Sequence, residues 1–214
     1  MYKQIAANNP IMIHLKTYSS IYFFIITLFM MGVIFGAIVV NSLSFTQKED
    51  LDFYLSQFFG QMADGEVAAS EDLFRQSFFH NLKYIGLLWV LGISIIGLPL
   101  IFIFLFMKGM VIGFSIGFLV DQMEWHGFLL SFVSVLPQNL IIIPVFIVIA
   151  VLAVGITMQL IRKLFTQRTT NIQILPLFSK YILAFVIAII VISVAAGIEA
   201  YLSPSLMKSV LTVN

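Results

Sequence analysis

Apolar positions run along this chain in blocks too long for the core of a water-soluble domain. From about Ser20 to Val40 no charged residue occurs. At 1.5 Å per residue that block crosses a ~30 Å hydrocarbon layer as a helix. Further blocks over 83–106, 109–120, 138–161 and 181–201 predict four more spans. Gly86, Gly92, Gly97 and Pro99 interrupt the second of these. The proline lacks a backbone donor, which predicts a kink near Ile95. Met107-Lys108 reads as a tight turn between the second and third spans.

The stretch from Gly127 to Ile161 would exceed ~50 Å as one straight helix. Pro137 breaks it, and Gln138-Asn139 place amides at a depth where unsatisfied polar groups cost several kcal/mol. The pattern therefore predicts a broken half-helix over 127–136, re-entrant or lying flat, followed by span 4 with Pro144 tolerated near its start. Asp121-Gln122-Met123-Glu124-Trp125-His126 reads as a short polar loop with an interfacial Trp.

Residues 41–80 form the one sizeable polar region. Thr46-Gln47-Lys48-Glu49 fits a capping box, and Leu51, Tyr54, Leu55, Phe58, Phe59 and Met62 recur at helical spacing. Gly60 and Gly65 weaken the end of that helix. Ser70-Glu71-Asp72 starts a second, with acids suited to the positive end of the helix dipole. Tyr54, Phe58, Phe59 and Phe74 give the region an aromatic face. Such a face either lies on the membrane or bundle as a lid, or holds a partner.

Gly109, Gly113 and Gly117 stand four apart in an otherwise apolar run, which puts them on one helix stripe. Lipid supplies no hydrophobic drive between helices, so close backbone contact through small residues takes over. The stripe serves packing within the chain or self-association into a homo-oligomer. Gly32 and Gly36 make a second pair of the same spacing, a weak signal on its own.

Composition agrees with the pattern. The chain is 61 % hydrophobic and 10 % charged, against about 25 % charged in soluble domains. The absence of cysteine excludes disulfides and thiolate chemistry. The low charge argues against nucleic acid. The first apolar block is longer than the roughly 7–15 residue core of a secretory signal, and Val39-Val40-Asn41-Ser42 is a poor cleavage site, so an uncleaved span is expected.

Charge placement then orients the spans. The arm at 1–19, the presumed turn at Lys108, and the segment from Arg162 to Lys180 carry Lys3, Lys16, Lys108, Arg162, Lys163, Arg168 and Lys180 without an acid. The other connections hold Glu49, Asp50, Asp52, Asp64, Glu66, Glu71, Asp72, Asp121 and Glu124. The positive-inside rule places the first set in the cytoplasm. Five crossings follow, with the N-terminus inside, the C-terminus outside and the region 41–80 extracytoplasmic. The expected fold is an all-α membrane bundle in a single domain.

Chemistry is sparse. His14, His80 and His126 lie in three separate regions, and neither an HExxH motif nor a carboxylate pair occurs. Asp121, Glu124 and His126 are the one set that could hold a metal, but a short polar loop of this kind is ordinarily just solvated. No catalysis and no cofactor are expected. Glu199 alone approaches the depth at which ionisable groups mark a pathway. It either reaches the interface or is buried against the broken segment at Pro137, Gln138 and Asn139.

Several pieces together resemble the stage II sporulation protein M family. They are Asn81-Leu82, Lys108-Gly109-Met110-Val111-Ile112-Gly113, Gly117-Phe118-Leu119-Val120, Leu136-Pro137-Gln138-Asn139-Leu140 through Pro144, and Ala196-Gly197-Ile198-Glu199-Ala200-Tyr201-Leu202 with Pro204. A Pro-His-Gly…Glu pattern of the wider family reads Pro137, Gln138, Asn139 and Ile142 here, so chemistry of that His and Glu does not carry over. The resemblance implies a non-enzymatic scaffold at the sporulation septum and engulfing membrane. It also implies partnership with stage II sporulation proteins D and P, which cut septal peptidoglycan. The alternative from the residues is a small transporter or channel-like module. A scaffold interior would be dry, whereas a conduit would be hydrated around Gln138, Asn139 and Glu199.

Overall fold

The computed structural model describes residues 10–63, 69–165 and 174–211. Lys3, Asp64, Gly65, Glu66, Arg168 and the side chains of Phe59 and Met62 lie outside the described residues. The elements are α1 (Pro10–Thr17), α2 (Ser19–Asn41), α3 (Phe45–Ala63), α4 (Ser70–Gly92), α5 (Gly97–Ser134), α6 (Leu136–Phe165), α7 (Ile174–Tyr201) and α8 (Ser203–Leu211). No strand occurs among the described residues. Four helical stretches are long and apolar enough to cross a membrane: Ser19–Asn41, Gly97–Ser134, Leu136–Leu164 and Phe178–Met207. The more polar α4 runs among them, and its Ile85 and Leu88 join Ile101, Leu105, Phe146, Ile149 and Ile192 in the core.

The second and third expected spans are divided elsewhere than the sequence suggested. The chain does not turn at Met107-Lys108, which is continuous helix; it breaks over 93–96. The helix can end inside an apolar bundle because each of its last four carbonyls finds a donor. Tyr181 Oη donates to the Trp89 carbonyl at 2.9 Å, and Thr157 Oγ1 donates to that of Gly92 at 2.9 Å. Ile93 N–H and Ser94 N–H donate to Val90 and Leu91. Gly97 then passes so close to the Leu91 carbonyl that any Cβ would overlap it. Pro99 lies in the first turn of α5, where a missing N–H costs nothing. The spans expected at 83–106 and 109–120 are therefore α4, ending at Gly92, and the first arm of α5.

That first arm ends at Glu124, a non-glycine residue with φ 48°. The chain folds back here, so that a side chain on Gly127 would overlap the Leu119 carbonyl. The half-helix expected over 127–136 is thus the second arm of α5, lying alongside the end of the first. Val135 separates it from α6 with right-handed backbone angles (φ −95°, ψ −35°), so the chain bends there and does not reverse. Pro137 falls in the first turn of α6. Asn139 Nδ2 donates to the Val135 carbonyl at 2.7 Å, which satisfies the bend from within.

The N-terminal start of α3 is also displaced from expectation. Ser44, two residues before Thr46, is the cap: its Oγ accepts from Gln47 N–H at 3.3 Å, and Gln47 Oε1 accepts from Ser44 N–H at 2.9 Å. Both Ser44-Phe45-Thr46-Gln47 and Thr46-Gln47-Lys48-Glu49 fit the S/T-x-x-E/Q pattern, and the earlier one makes the bonds.

Candidate functional site

The glycines pair two helices. A Cβ on Gly109 or Gly113 would overlap the carbonyl of Phe29 or Val33, and one on Gly117 would press on Ala37. Reciprocally, Gly32 and Gly36 abut the carbonyls of Phe106 and Met110. Positions rise together on both sides, so α2 and α5 run parallel with their backbones in contact. The stripe at Gly109, Gly113 and Gly117 is occupied within the chain, and its counterpart is the Gly32–Gly36 pair that looked weak in isolation.

Parallel packing of α2 and α5 leaves α4, α6 and α7 to close the bundle on the other side of α5. Between them lies a cavity of about 710 Å³. Each wall supplies polar groups: Ser77, His80 and Asn81 from α4, Lys108 and Ser115 from α5, Gln138 and Asn139 from α6, Glu199 from α7 and Ser203 from α8. Leu55 and Phe58 of α3 contribute to the lining from above.

Glu199 is the centre of this arrangement. Ser77 Oγ donates to its Oε2, and Gln138 Nε2 donates to its Oε1 at 2.8 Å. Asn81, one turn after Ser77, donates to the Ser77 carbonyl at 3.0 Å and so holds that stretch of α4 in place. Of the two sequence readings of Glu199, the structure has the acid against the broken segment, half-buried, and not one reaching outward.

The sequence pattern puts Lys108 at a turn, yet it stands ~16 Å along α5 from Gly97, well inside the apolar arm. Its Nζ lies 5.3 Å from the centroid of the Tyr84 ring, a cation–π contact. Glu199 lines the same cavity. The two are not an ion pair; the described salt bridge is Lys48–Asp121 at 2.7 Å. A single cation inside an apolar run is itself a signal of a pathway or site, and Lys108 between Gly97 and Val120 could have been read that way. Ser203 Oγ, on a residue only 2 % exposed, has no hydrogen-bond partner.

The aromatic surface residues separate into two groups. Tyr54 is 68 % exposed and meets Phe53, 66 % exposed, edge to face at 5.9 Å. Phe58 lines the cavity. Phe74 is half-buried and stacks on Phe78 at 6.0 Å, within α4. Phe53 was missed because it falls off the 3.6-residue stripe of apolar positions, on the face that meets no other helix. Asp121 is engaged by Lys48, and no group of three metal-ligating side chains occurs among the described residues.

A family model described as Stage II sporulation protein M matches residues 25–204. The chain belongs to the stage II sporulation protein M family. No curated protein and no solved structure matches the chain. The family match runs from within α2 into the start of α8, and so contains the glycine pairing and the polar residues of the cavity. The protein is thus a membrane protein of a sporulation family, built as an all-α bundle.

Proposed function

We propose that this member of the stage II sporulation protein M family is a non-enzymatic membrane scaffold required for engulfment. It would anchor and localise septal peptidoglycan-degrading partners of the kind of stage II sporulation proteins D and P. The observation that carries this reading is the Phe53–Tyr54 pair. Two large aromatic side chains stand exposed and in mutual contact on α3, a helix tied to the bundle by the Lys48–Asp121 ion pair. Aromatic anchors of this kind dominate the energy of protein interfaces.

Orientation supports the same side for docking. The start of α2, the end of α6 and the start of α7 gather at one end of the bundle, with Lys16, Arg162, Lys163 and Lys180 nearby. Glu49, Asp50, Asp52, Glu71, Asp72, Asp121 and Glu124 belong to elements at the other end. Moving Lys108 out of the connections leaves the charge asymmetry intact, so the positive-inside rule still puts α3 outside the cytoplasm. Replacing Phe53 and Tyr54 together with Ser tests the scaffold. Partners should leave the septum while this protein remains inserted at normal level, and partners that stay would overturn the docking face. A second copy would need some face other than the glycine stripe, which α2 already covers.

A second reading is favoured by one observation. Gln138, Asn139 and Glu199, the residues expected to touch a conduit, line a common cavity together with Lys108. A transporter or channel-like role would require solute flux through it, measurable in proteoliposomes, and would make flux sensitive to Glu199→Gln.

A further inference from the structure

Two opposite charges share the cavity without touching each other. Lys108 Nζ offers three N–H donors and stands over the face of Tyr84. Ser203 Oγ, buried and unpartnered, adds a hydroxyl on the same lining. On the acceptor side, Glu199 takes one bond at each oxygen from neutral donors, and about half of the roughly four lone-pair sites of a carboxylate stay unused. Gln138 and Asn139 each direct one amide N–H, to Glu199 and to the Val135 carbonyl, and each keeps a second N–H. Their amide oxygens remain available as acceptors.

Such a lining asks for a ligand with an anion at one point and a hydrogen-bonding cation at another. A ligand bearing only an anion would satisfy Lys108 but bring repulsion beside Glu199, and one bearing only a cation would do the reverse. Beside these groups the lining holds further neutral polar residues, among them Gln61, Gln76 and Asn81, together with His80, and an apolar part that includes Val111, Ile112, Leu119 and Met207. Val111 is also exposed, within the apolar arm of α5. The site therefore combines a dipolar centre with an apolar side built on α5. Its volume lies in the ~300–1,000 Å³ range of small-molecule sites.

We propose that this cavity binds a zwitterionic headgroup, a phosphate joined to a primary ammonium as in an aminophospholipid, with the anion on Lys108 and Ser203 and the ammonium on Glu199. The occupant comes from the bilayer, since the apolar side at Val111, Ile112 and Leu119, with Val111 exposed in a membrane-spanning helix, matches acyl chains. This site is independent of the scaffold reading, because Phe53 and Tyr54 take no part in it.

The test uses the full-length protein in detergent micelles, titrated with phosphatidylethanolamine or phosphatidylglycerol and read by native mass spectrometry. Wild type should hold phosphatidylethanolamine at least tenfold more tightly than phosphatidylglycerol. Glu199→Gln should abolish that preference, and Lys108→Gln should weaken both lipids tenfold or more. Ser203→Ala, which removes one orphan hydroxyl and keeps the fold, should weaken phosphatidylethanolamine about two- to tenfold. Competition with soluble phosphoethanolamine separates the sources: no displacement supports a bilayer lipid, and full displacement overturns the need for acyl chains. Equal wild-type affinity for the two lipids, a comparison that needs no variant, overturns the zwitterion site itself. Partner recruitment tested separately through Phe53 and Tyr54 would be unaffected by that result.

Discussion

Gly113 of α5 lies directly against the backbone carbonyl of Val33 in α2, so close that a single added methyl would overlap it. The neighbouring contacts of Gly109 with Phe29 and of Gly36 with Met110 repeat the approach along the two parallel helices. Without a hydrophobic drive in lipid, this contact of backbones is what holds α2 to the bundle.

Gly113→Ala should therefore destabilise the protein by ~1–3 kcal/mol, and Gly113→Leu by at least as much, because neither helix can yield a carbonyl without disturbing its own ladder. Val111→Leu, exposed on the same helix, is the control and should leave the melting temperature in detergent near that of wild type. Phe118 is unsuitable as a control because it is buried. A Gly113→Leu protein that melts with wild type would show that α2 does not need this seam.

Tyr181 caps α4 from another helix, so Tyr181→Phe should be costly although it removes one atom. It strips the hydroxyl that donates to the Trp89 carbonyl and leaves a buried acceptor unpaired, at ~1–3 kcal/mol. The stacked Trp89 and Tyr181 rings, 5.3 Å apart, remain. Trp89 fluorescence should keep its native emission while the thermal midpoint falls. An unchanged midpoint would mean that water or the neighbouring turn replaces the bond.

The turn at 93–96 gives a direct test of the crossings. Ser56→Cys should react with an impermeant maleimide in intact protoplasts, and Ser94→Cys only after permeabilisation. Met107→Cys should react in neither, since it faces the apolar surroundings of α5 and meets no aqueous connection. Labelling of Met107→Cys alongside Ser94→Cys would restore a turn at Lys108.

Lys48 and Asp121 join α3 to the fold-back of α5 through a partly exposed pair, each side chain 27 % accessible. A double-mutant cycle with Lys48→Gln and Asp121→Asn should give a coupling of ~0.2–1 kcal/mol that shrinks with added salt. A coupling indifferent to salt would point to a buried pair and a more tightly seated α3.

What the amino-acid order decided by itself was the class of the molecule and the residues able to do its packing. Long apolar blocks and scarce charge leave no soluble alternative. Glycines four apart make a groove whichever helix fills it, and a helix is the only local way to satisfy a backbone in lipid. Which groove meets which ridge is a long-range matter. Nothing near Gly113 says that Val33 will lie on it, and the Gly32–Gly36 pair acquired meaning only when α2 ran parallel to α5. The end of α4 at Gly92 was hidden for the same reason. Its stop signal consists of hydroxyls on Thr157 and Tyr181, 65 and 92 residues away from their acceptors. Lys108 looked like a loop residue because a charge in an apolar run ordinarily costs too much to bury. Tertiary structure changed that balance by setting Tyr84 beneath it and Glu199 across a shared cavity, where polar groups from several helices supply what local sequence lacks.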